Sequence, residues 1–277
     1  MPGVTRIFSD LHYGDRGSRI RSLSALRPLF NGADALVLNG DTIDTRPSRH
    51  PEVTVALRAE TKEFFERSAP PTTFITGNHD PDISELHTVD LSNGKIFVTH
   101  GDIIFDDLVP WGQDAPEIRK RLIHEIGALS PTEREELDAR LGAYRRVAGS
   151  IPQRHQSERN RLKYLASFLA DTVWPPLRIA RVLDAWRRAP RLTAELTRRY
   201  RPNASVAVIG HIHHAGFWRQ PNGFTVLNTG AFCPPGHGAV VDVHEDCVVL
   251  RSVDYRGGEF HAGQNLAVVP LTGSAKS

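Results

Sequence analysis

Five short motifs in this chain combine residue types that bind metal ions. They contain carboxylates, imidazoles and one amide, and they read Asp10-x-His12, Gly40-Asp41-x-x-Asp44, Gly77-Asn78-His79-Asp80, His100-Gly101-Asp102 and Gly210-His211-x-His213. Such a mixed oxygen and nitrogen set suits Mn, Fe, Zn or Mg and lacks the thiolates typical of a structural zinc site. Each motif alone is weak, because a lone DxH or HxH pair arises by chance in most proteins. Five of them in order indicate one shared metal site.

Each motif stands at the end of a strand-like run. The runs are continuously apolar or β-branched, as in strands that are covered on both faces, and they span residues 4–9, 35–38, 72–76, 96–99 and 206–209. Open α/β sheets bind ligands at the edge where such strands end. If the backbone stays extended, residues i and i+2 of each DxH or HxH pair point the same way. The sequence therefore predicts an α/β fold with its site on a sheet edge, and later strands at 225–228, 239–243 and 248–253.

The series of motifs resembles that of the calcineurin-like metallophosphoesterases over residues 1–114 and 201–255. The resemblance implies an αββα sandwich of two sheets with two metal ions at the sheet edge. It implies one metal held by Asp10, His12 and His213, a second held by Asn78, His100 and His211, and Asp41 bridging them. It makes His79 the catalytic histidine and Asp44 the acid that orients it. The roles of Asp80 and Asp102 stay open: each carboxylate could cap the main chain or accept a hydrogen bond from a metal ligand.

The chemistry of such a centre agrees with these assignments. Two cations ~4 Å apart repel unless an anionic oxygen lies between them, which is the expected role of Asp41 and a shared hydroxide. The cations also neutralise phosphoryl oxygens, while a histidine held by a carboxylate can protonate the leaving oxygen. We therefore expect hydrolysis of a phosphoester or diphosphate bond by a metal-bridging hydroxide. Two divalent ions are expected, Mn first, with Fe, Zn or Mg as alternatives.

The interval between the HGD and GHxH motifs is too long for a simple crossover, and residues 115–200 read as an all-helical module. Asp114 and a capping box at Ser130 mark helix starts, and Pro190 marks a helix end between apolar stripes. Helices are also expected at 18–30, 51–67 and around 162–169. The predicted organisation is a metallophosphoesterase domain over 1–255, a helical lid inserted at 115–200, and a loosely ordered tail over 256–277.

Charge and apolar residues concentrate in the insert. Residues 115–200 hold 18 Lys and Arg against 10 Asp and Glu, a net of +8, whereas the remainder is −6. A basic stretch there could clamp a second phosphate, with candidate substrate-binding residues Arg154, Arg159, Asn160 and Lys163. Bulky apolar residues around Trp174 and Trp186 follow it. An apolar groove beside a basic patch would suit a lipid phosphate or a peripheral contact with an anionic membrane.

A helical lid at this position is similar to that of UDP-2,3-diacylglucosamine hydrolases, which cleave a nucleotide–lipid diphosphate during lipid A synthesis. The chain departs from their commonest pattern, because His79 stands where they often have Arg. A general phosphatase, phosphodiesterase or nuclease of the same fold is the alternative, although the acidic body disfavours nucleic acid as a partner. A non-catalytic metal-binding scaffold would be expected to lack ligands, and all the motif positions are intact.

The remaining features point to an ordinary intracellular protein. The two cysteines, Cys233 and Cys247, have no metal-type spacing, and the N-terminus shows no basic region followed by an apolar stretch. No run approaches the ~18 apolar residues of a membrane span. A cytoplasmic location is therefore expected, with a peripheral contact at the inner face of the membrane if the insert binds lipid. His237, in the loop after Gly230, is a further candidate for lining the cleft.

Overall fold

The computed structural model describes residues 3–154, 158, 160, 162–164, 166–167, 177–234 and 236–271. The strands, in chain order, are β1 Thr5–Phe8, β2 Ala35–Asn39, β3 Thr72–Ile75, β4 Thr88–Leu91, β5 Ile96–Thr99, β6 Val206–Ile209, β7 Gly216–Arg219, β8 Thr225–Asn228, β9 Ala239–Val243, β10 Cys247–Arg256 and β11 Glu259–Pro270. The α-helices are α1 Pro51–Ser68, α2 Ala115–Ala128, α3 Pro131–Glu135, α4 Leu137–Gly149 and α5 Leu177–Tyr200, with 3₁₀ helices at Leu23–Phe30 and Asp102–Ile104.

The strands form two mixed sheets. The first has six strands in the order β11-β10-β9-β1-β2-β3, and the second has five in the order β4-β5-β6-β8-β7. Strands β1, β2 and β3 run parallel in the first sheet, and β5, β6 and β8 run parallel in the second. Because parallel strands end at the same edge of their sheet, the motifs that follow them are brought to one edge.

The two sheets pack face to face through alternate residues of their strands. Ile7 and Val37 of the first sheet share one buried cluster with Val98 and Val208 of the second. Their neighbours in sequence point the other way, as Phe8 does toward the helices outside the first sheet. This alternation is the two-residue period of a pleated strand, and burial on both faces explains why the strand sequences are largely apolar. The predicted αββα sandwich is confirmed.

The helices form the two outer layers. The 3₁₀ helix Leu23–Phe30 and α1 cover the first sheet, where Leu26 and Phe65 join the cluster of Phe8. Helices α2 and α4 cover the second sheet, where Leu122 and Leu141 join the cluster of Phe97. The helices expected to be an insert thus supply the layer without which the second sheet would expose one apolar face. Their assignment as a separate lid domain stays a prediction.

Two prolines decide where the helices differ from expectation. The helix expected over 18–30 is a shorter 3₁₀ helix, Leu23–Phe30, that contains Pro28. Pro190 was expected to end one helix before the next began, but it lies inside α5. The prediction of two separate helices is therefore wrong. Pro190 is buried, and Ala189 beside it packs with Ile212, so tertiary contacts offset the hydrogen bond that a proline removes.

The helix starts follow the sequence more closely. The expected capping box is present at the start of α3, where the side chain of Ser130 accepts from the N–H of Glu133 and the Glu133 side chain accepts from the N–H of Ser130. Helix α2 begins directly after Asp114. The helix expected around 162–169 lies largely outside the described residues. In the described part of the chain no helix is long and apolar enough to cross a membrane.

The expectation of a loosely ordered tail is wrong for Glu259–Pro270, which form β11 and pair along β10. Phe260 and Val269 are buried, and Phe260 packs against the ring of Phe232 with centroids 5.3 Å apart. The sequence hides this strand because Gly263 and the polar pair after it interrupt the apolar pattern. The pairing with β10 shifts register between Leu250 and Val253, which a regular two-residue period does not predict.

Replacing Phe260 with Ala should therefore lower the free energy of unfolding by about 3–5 kcal/mol, because it removes a buried aromatic side chain. Leu266→Ala, on the same strand, is the control, since Leu266 is 50% exposed. That substitution should change the free energy by no more than about 0.5 kcal/mol. Urea denaturation measures both. Equal effects for the two variants would contradict the packing of β11 on the first sheet.

Candidate metal centre

All five motifs meet at one edge of the sandwich. Asp10, Asp41 and Asn78 follow β1, β2 and β3 of the first sheet, and His100 and His211 follow β5 and β6 of the second. The two sheets contribute to the same place, as the 3.1 Å between Asp10 Oδ1 and His213 Nε2 demonstrates. Most of these side chains are buried, with Asp10 and His100 fully inaccessible. The edge of the sandwich therefore carries one compact polar site.

The ligand atoms form two clusters that share a carboxylate. Asp10, His12, Asp41 and His213 each place one donor atom within 4.8 Å of the others, and Asp41, His100 and His211 do the same. Asp41 Oδ2 is 3.9 Å from His12 Nε2 and 3.3 Å from His100 Nε2, so one oxygen faces both clusters. The amide oxygen of Asn78 lies 3.2 Å from His100 Nε2 and adds an oxygen to the second cluster.

The backbone at these residues is not extended. Asp10, His12, Asp41, His211 and His213 have φ of 55°, 46°, 53°, 68° and 54°. The expectation that DxH and HxH pairs converge because residues i and i+2 share one face of a strand is therefore wrong. The chain instead turns through left-handed conformations, which Asp and His adopt more readily than most residues. Such conformations cost of order 1–3 kcal/mol each and are typical of functional sites.

Main-chain hydrogen bonds between motifs hold these turns. The N–H of Asp10 donates to Gly40 at 3.0 Å, that of His12 to Asp41 at 3.0 Å, and that of Gly210 to His100 at 2.9 Å. Gly40 has a φ of 82°, and a Cβ there would lie 2.5 Å from His100 Nδ1. The glycine is therefore required both by the turn and by the imidazole packed against it.

In His100 and His211, a hydrogen bond made by one ring nitrogen determines that the other ring nitrogen faces the site. His100 Nδ1 lies 2.9 Å from the carbonyl oxygen of Asn39, and His211 Nε2 lies 2.7 Å from that of Leu108. Each of these nitrogens donates to its carbonyl, which leaves His100 Nε2 and His211 Nδ1 facing the site. Burial lowers the pKa of His12 and of His211 to about 4, whereas at His100 burial is outweighed by the charge of Asp41, which raises the pKa to about 10. A neutral imidazole is the form that binds metal, so a cation bound by His100 displaces its proton.

Asp80 is an acceptor for the main chain. Its carboxylate accepts from the N–H groups of Gly77 at 2.8 Å, Asp41 at 2.9 Å and Thr42 at 2.7 Å, and so ties the third motif to the second. Burial, followed by the charge of Asp41, raises its pKa to about 8. The open question about Asp80 is thus answered in favour of a main-chain cap.

Asp102 holds a buried arginine from the helical layer. Arg145 of α4 donates to Asp102 through Nη1 at 2.5 Å and Nη2 at 2.8 Å, and through Nε to Thr76 Oγ1 at 2.8 Å. Burial opposes the charge on Asp102, but Arg145 outweighs it and keeps the pKa of the carboxyl below its usual value. Thr76 precedes Asn78, and Asp102 follows His100, so Arg145 joins the loops that carry two ligands. Sequence reasoning missed it, although an arginine on the buried face of an amphipathic helix was a visible signal.

His79 and Asp44 form the expected pair, with His79 Nδ1 3.0 Å from Asp44 Oδ2. The N–H of His79 also donates to Asp41 Oδ1 at 2.8 Å, which fixes the residue beside the shared carboxylate. Sequence reasoning missed Arg46, which contacts Asp44 through Nε at 3.0 Å and Nη2 at 2.6 Å and lies 2.9 Å from His79 Nδ1. Burial acts against ionisation of Asp44, but Arg46 and then His79 hold its pKa well below the usual range.

The candidate substrate-binding residues are placed differently. Arg154 pairs with the carboxylate of Asp114, and the side chain of Asn160 accepts from the N–H groups of Leu162 and Lys163 at 3.0 and 3.2 Å. Lys163 is exposed, and Arg159 lies outside the described residues. Arg154 and Asn160 therefore have structural partners, and binding of substrate by any of the four residues stays a prediction.

The insert nevertheless borders the metal centre on two sides. Gln153 donates to the carbonyl oxygen of Asp44 at 2.8 Å, and the hydroxyl of Tyr164 donates to Asp15 at 2.8 Å. Asp15 belongs to the loop that follows the DxH motif. Residues near both ends of the stretch 153–164 thus contact loops that carry site residues.

A sandwich of this kind with two ligand clusters sharing an aspartate defines a metal-dependent hydrolase. The sequence profile of the calcineurin-like phosphoesterases matches residues 5–215, and the chain belongs to this family of phosphoester hydrolases. The resemblance inferred from the motifs is confirmed. No match was found among curated proteins.

Solved structures with a similar chain trace include a dimetal phosphatase from Danio rerio, which is 13% identical with a TM-score of 0.48 over 98% of this chain and 99% of that one. Vacuolar protein sorting 29 from Cryptosporidium parvum is 14% identical with a TM-score of 0.42 over 97% of each chain. A predicted phosphoesterase from Streptococcus pneumoniae is 12% identical with a TM-score of 0.39 over 97% of each chain. These likenesses are too distant to bear on activity.

Replacing Arg145 with Met should weaken binding of Mn²⁺ about 10- to 100-fold, because the loops that carry Asn78 and His100 lose their common partner. The variant should also be less stable, since Asp102 stays buried without its counter-ion. Arg146→Met, at the adjacent exposed position, is the matched control and should leave the affinity unchanged. Calorimetric titration of metal into folded protein measures both. An unchanged Kd in folded Arg145→Met would show that the ion pair does not support the ligands.

Proposed function

We propose that the protein hydrolyses phosphoester or diphosphate bonds with two divalent metal ions held by the two ligand clusters. The observation that carries this proposal is the single oxygen of Asp41 that faces both clusters, with the His79–Asp44 pair beside it. Three residues would hold each metal in addition to Asp41, namely Asp10, His12 and His213 for one and Asn78, His100 and His211 for the other.

The residues fit a pair of divalent cations. His12 Nε2 and His213 Nε2 lie 3.2 Å apart, which brings two electron-rich nitrogens together beside the carboxylate of Asp10. Imidazole nitrogens with carboxylate and amide oxygens are the donors that Mn, Fe and Zn accept, and Mn is our first choice. When bound, two such ions lower the pKa of a coordinated water and neutralise the oxygens of a phosphoryl group.

The protein's own groups supply orientation and a proton. Asp44 accepts at His79 Nδ1 and holds the ring, which leaves Nε2 to donate a proton to the leaving oxygen of the ester. Arg46 keeps Asp44 ionised and restrains it through two hydrogen bonds, so the orienting acid does not move with the ring. The N–H of His79 holds one oxygen of Asp41 and leaves the other to face the clusters. These contacts prepare the site for in-line displacement at phosphorus.

As the substrate we propose a nucleotide–lipid diphosphate such as UDP-2,3-diacylglucosamine. The support is an apolar surface on the first two turns of α5, where Leu177, Ile179 and Leu183 are 67%, 50% and 54% exposed next to Arg181. Exposed aliphatic side chains beside a cation suit an acyl chain with a phosphate, or the surface of an anionic membrane. A cytoplasmic protein in peripheral contact with the inner face of a membrane would meet such a substrate.

A general phosphatase or phosphodiesterase is the alternative, and His79 favours it, because the lipid-cleaving relatives often carry Arg at that position. A nuclease stays disfavoured by the acidic body, and a non-catalytic scaffold by the complete set of ligands.

His79→Ala should lower kcat for an alkyl phosphoester such as glycerol 2-phosphate with Mn²⁺ about 100- to 10,000-fold, because an alkoxide leaving group needs the proton of a positioned general acid. The variant should still bind metal, because His79 is outside both clusters. His261→Ala, on β11, is the control and should keep the wild-type rate. The proposal fails if wild-type protein turns over no ester with Mn²⁺, Fe²⁺, Zn²⁺ or Mg²⁺.

Ile179→Ser combined with Leu183→Ser should lower kcat/KM for UDP-2,3-diacylglucosamine at least about tenfold, because each buried methylene contributes ~0.8 kcal/mol to binding an acyl chain. The same pair should not affect UDP-glucosamine, which has no acyl chains. Ile123→Ser on α2, also exposed at 66%, is the control. Equal rates for the acylated and the chain-free substrates in wild-type protein would rule out a lipid substrate but leave the hydrolase in place.

A further inference from the structure

We propose that Arg19 and His237 form a subsite for a second phosphate group of the substrate, next to the ligand cluster that contains His213. The subsite rests on the proposed function, because it recognises the part of a substrate that extends beyond the phosphate at the metals. Its ligand class is a diphosphate, such as a nucleotide sugar, as opposed to a simple phosphate monoester.

Main-chain contacts place both residues next to the first ligand cluster. The N–H of Arg19 donates to the carbonyl oxygen of Phe232 at 2.8 Å, and the N–H of Phe232 donates to that of Asp10 at 3.0 Å. Gly236 lies against the carbonyl oxygen of His213, where a Cβ would come within 2.7 Å. The loop that carries His237 is therefore packed on a metal-ligand residue, and Arg19 is joined to the same loop.

The ring of His213 lies beside that of His12, with centroids 5.1 Å apart, and the two belong to the same ligand cluster. Because Gly236 packs on the carbonyl oxygen of His213, the loop with His237 borders this cluster. A phosphate held at the cluster therefore has this loop, with Arg19 joined to it, among its neighbours.

Arg19 is a cation that the described residues do not neutralise. Its Nη1 lies 3.4 Å from His237 Nδ1, and in the described part of the chain no carboxylate comes within 4 Å of its guanidinium. Arg46 and Arg145 at the same site are, by contrast, each bound by an aspartate. Asp15, the acid nearest in sequence, is engaged by the hydroxyl of Tyr164 and the N–H of Gly17.

An arginine that faces an imidazole is suited to an anion. In the neutral form of His237, Nδ1 accepts from Arg19, so the proton is on Nε2, which is left to donate. A phosphate beside the pair would receive charge-assisted hydrogen bonds from the guanidinium and a further one from Nε2. Arg19 itself is half-buried, whereas its contact with His237 is exposed and so accessible to a ligand from solvent.

The test is equilibrium binding of UDP-glucose and of UMP to Mn²⁺-loaded protein that carries His79→Ala, which slows turnover of either ligand during the titration. Adding Arg19→Gln should weaken UDP-glucose about 10- to 100-fold, the loss expected for charged hydrogen bonds, and should change UMP much less. Adding His237→Gln should weaken UDP-glucose in the same direction by a smaller factor. Arg21→Gln removes the same charge two residues away, where the side chain is exposed, and should change neither ligand.

The subsite is overturned if Arg19→Gln weakens both ligands equally, if it weakens neither, or if Arg21→Gln matches it. The hydrogen bond from the N–H of Arg19 to Phe232 does not depend on the side chain, and thermal melting checks that the variant is folded. His237→Gln, at an exposed position, tests the same subsite from another loop. Failure of the proposed function is distinguishable, because wild-type protein would then hydrolyse no ester, whatever the binding ratio of UDP-glucose to UMP.

Discussion

The centre depends on one buried carboxylate that serves two ligand clusters. Burial penalises the charge of Asp41, but His100 and then His79 stabilise it and keep its pKa well below the usual value. Asp41 must also turn through a left-handed conformation, with Gly40 before it and Asp80 holding its N–H. A second cation could not approach the first without such an anionic oxygen between them. The loops from β2, β3 and β5 are therefore arranged around the position of this carboxylate.

Two buried arginines extend that arrangement into the surrounding layers. Arg46 neutralises Asp44 within the loop after β2, and Arg145 reaches from α4 to Asp102 beside the second cluster. Removing two charges from water is costly, and the cost is offset only where several hydrogen bonds are satisfied at once, as they are in both pairs. The pair formed by Arg145 means that the helical layer is part of the structure of the centre as well as a cover for the second sheet.

The rim of the centre is chemically uneven. Beside His79 the guanidinium of Arg46 is neutralised by Asp44, whereas near His213 the guanidinium of Arg19 contacts only an imidazole among the described residues. In our proposal, Arg19 and the apolar surface at the start of α5 distinguish substrates by what extends beyond the reacting phosphate, whereas the ligand clusters bind the phosphoryl group itself. Reaction class and substrate choice would then depend on separate parts of the chain.

The sequence by itself determined the reaction class and much of the architecture. The runs before Asp10, Asp41, Asn78, His100 and His211 are short, mostly apolar or β-branched and each followed by a polar motif, so their strands and their common edge could be predicted. The motifs indicated candidate ligands, which the structure brings into two clusters, because metal coordination restricts residue type severely. Strand β11 was not predicted because its apolar pattern is interrupted at Gly263 and its pairing with β10 is irregular. Pro190 was misjudged because the burial that stabilises it inside α5 is contributed by residues far away in the chain.

Only the tertiary structure decided how the ligands converge and what supports them. The left-handed turns at His12 and His213 replace the extended geometry that spacing suggested, because hydrogen bonds between motifs fix the backbone there. Arg145 binds Asp102 across 43 residues of sequence, which no motif spacing indicates. Nor does any spacing indicate that the side chain of Asn160 caps a local turn. Residue type is written in the sequence, but the partner of a charged side chain is set by the packing of distant elements. For that reason the candidate metal ligands could be predicted from the sequence, whereas the residues that hold them in place could not.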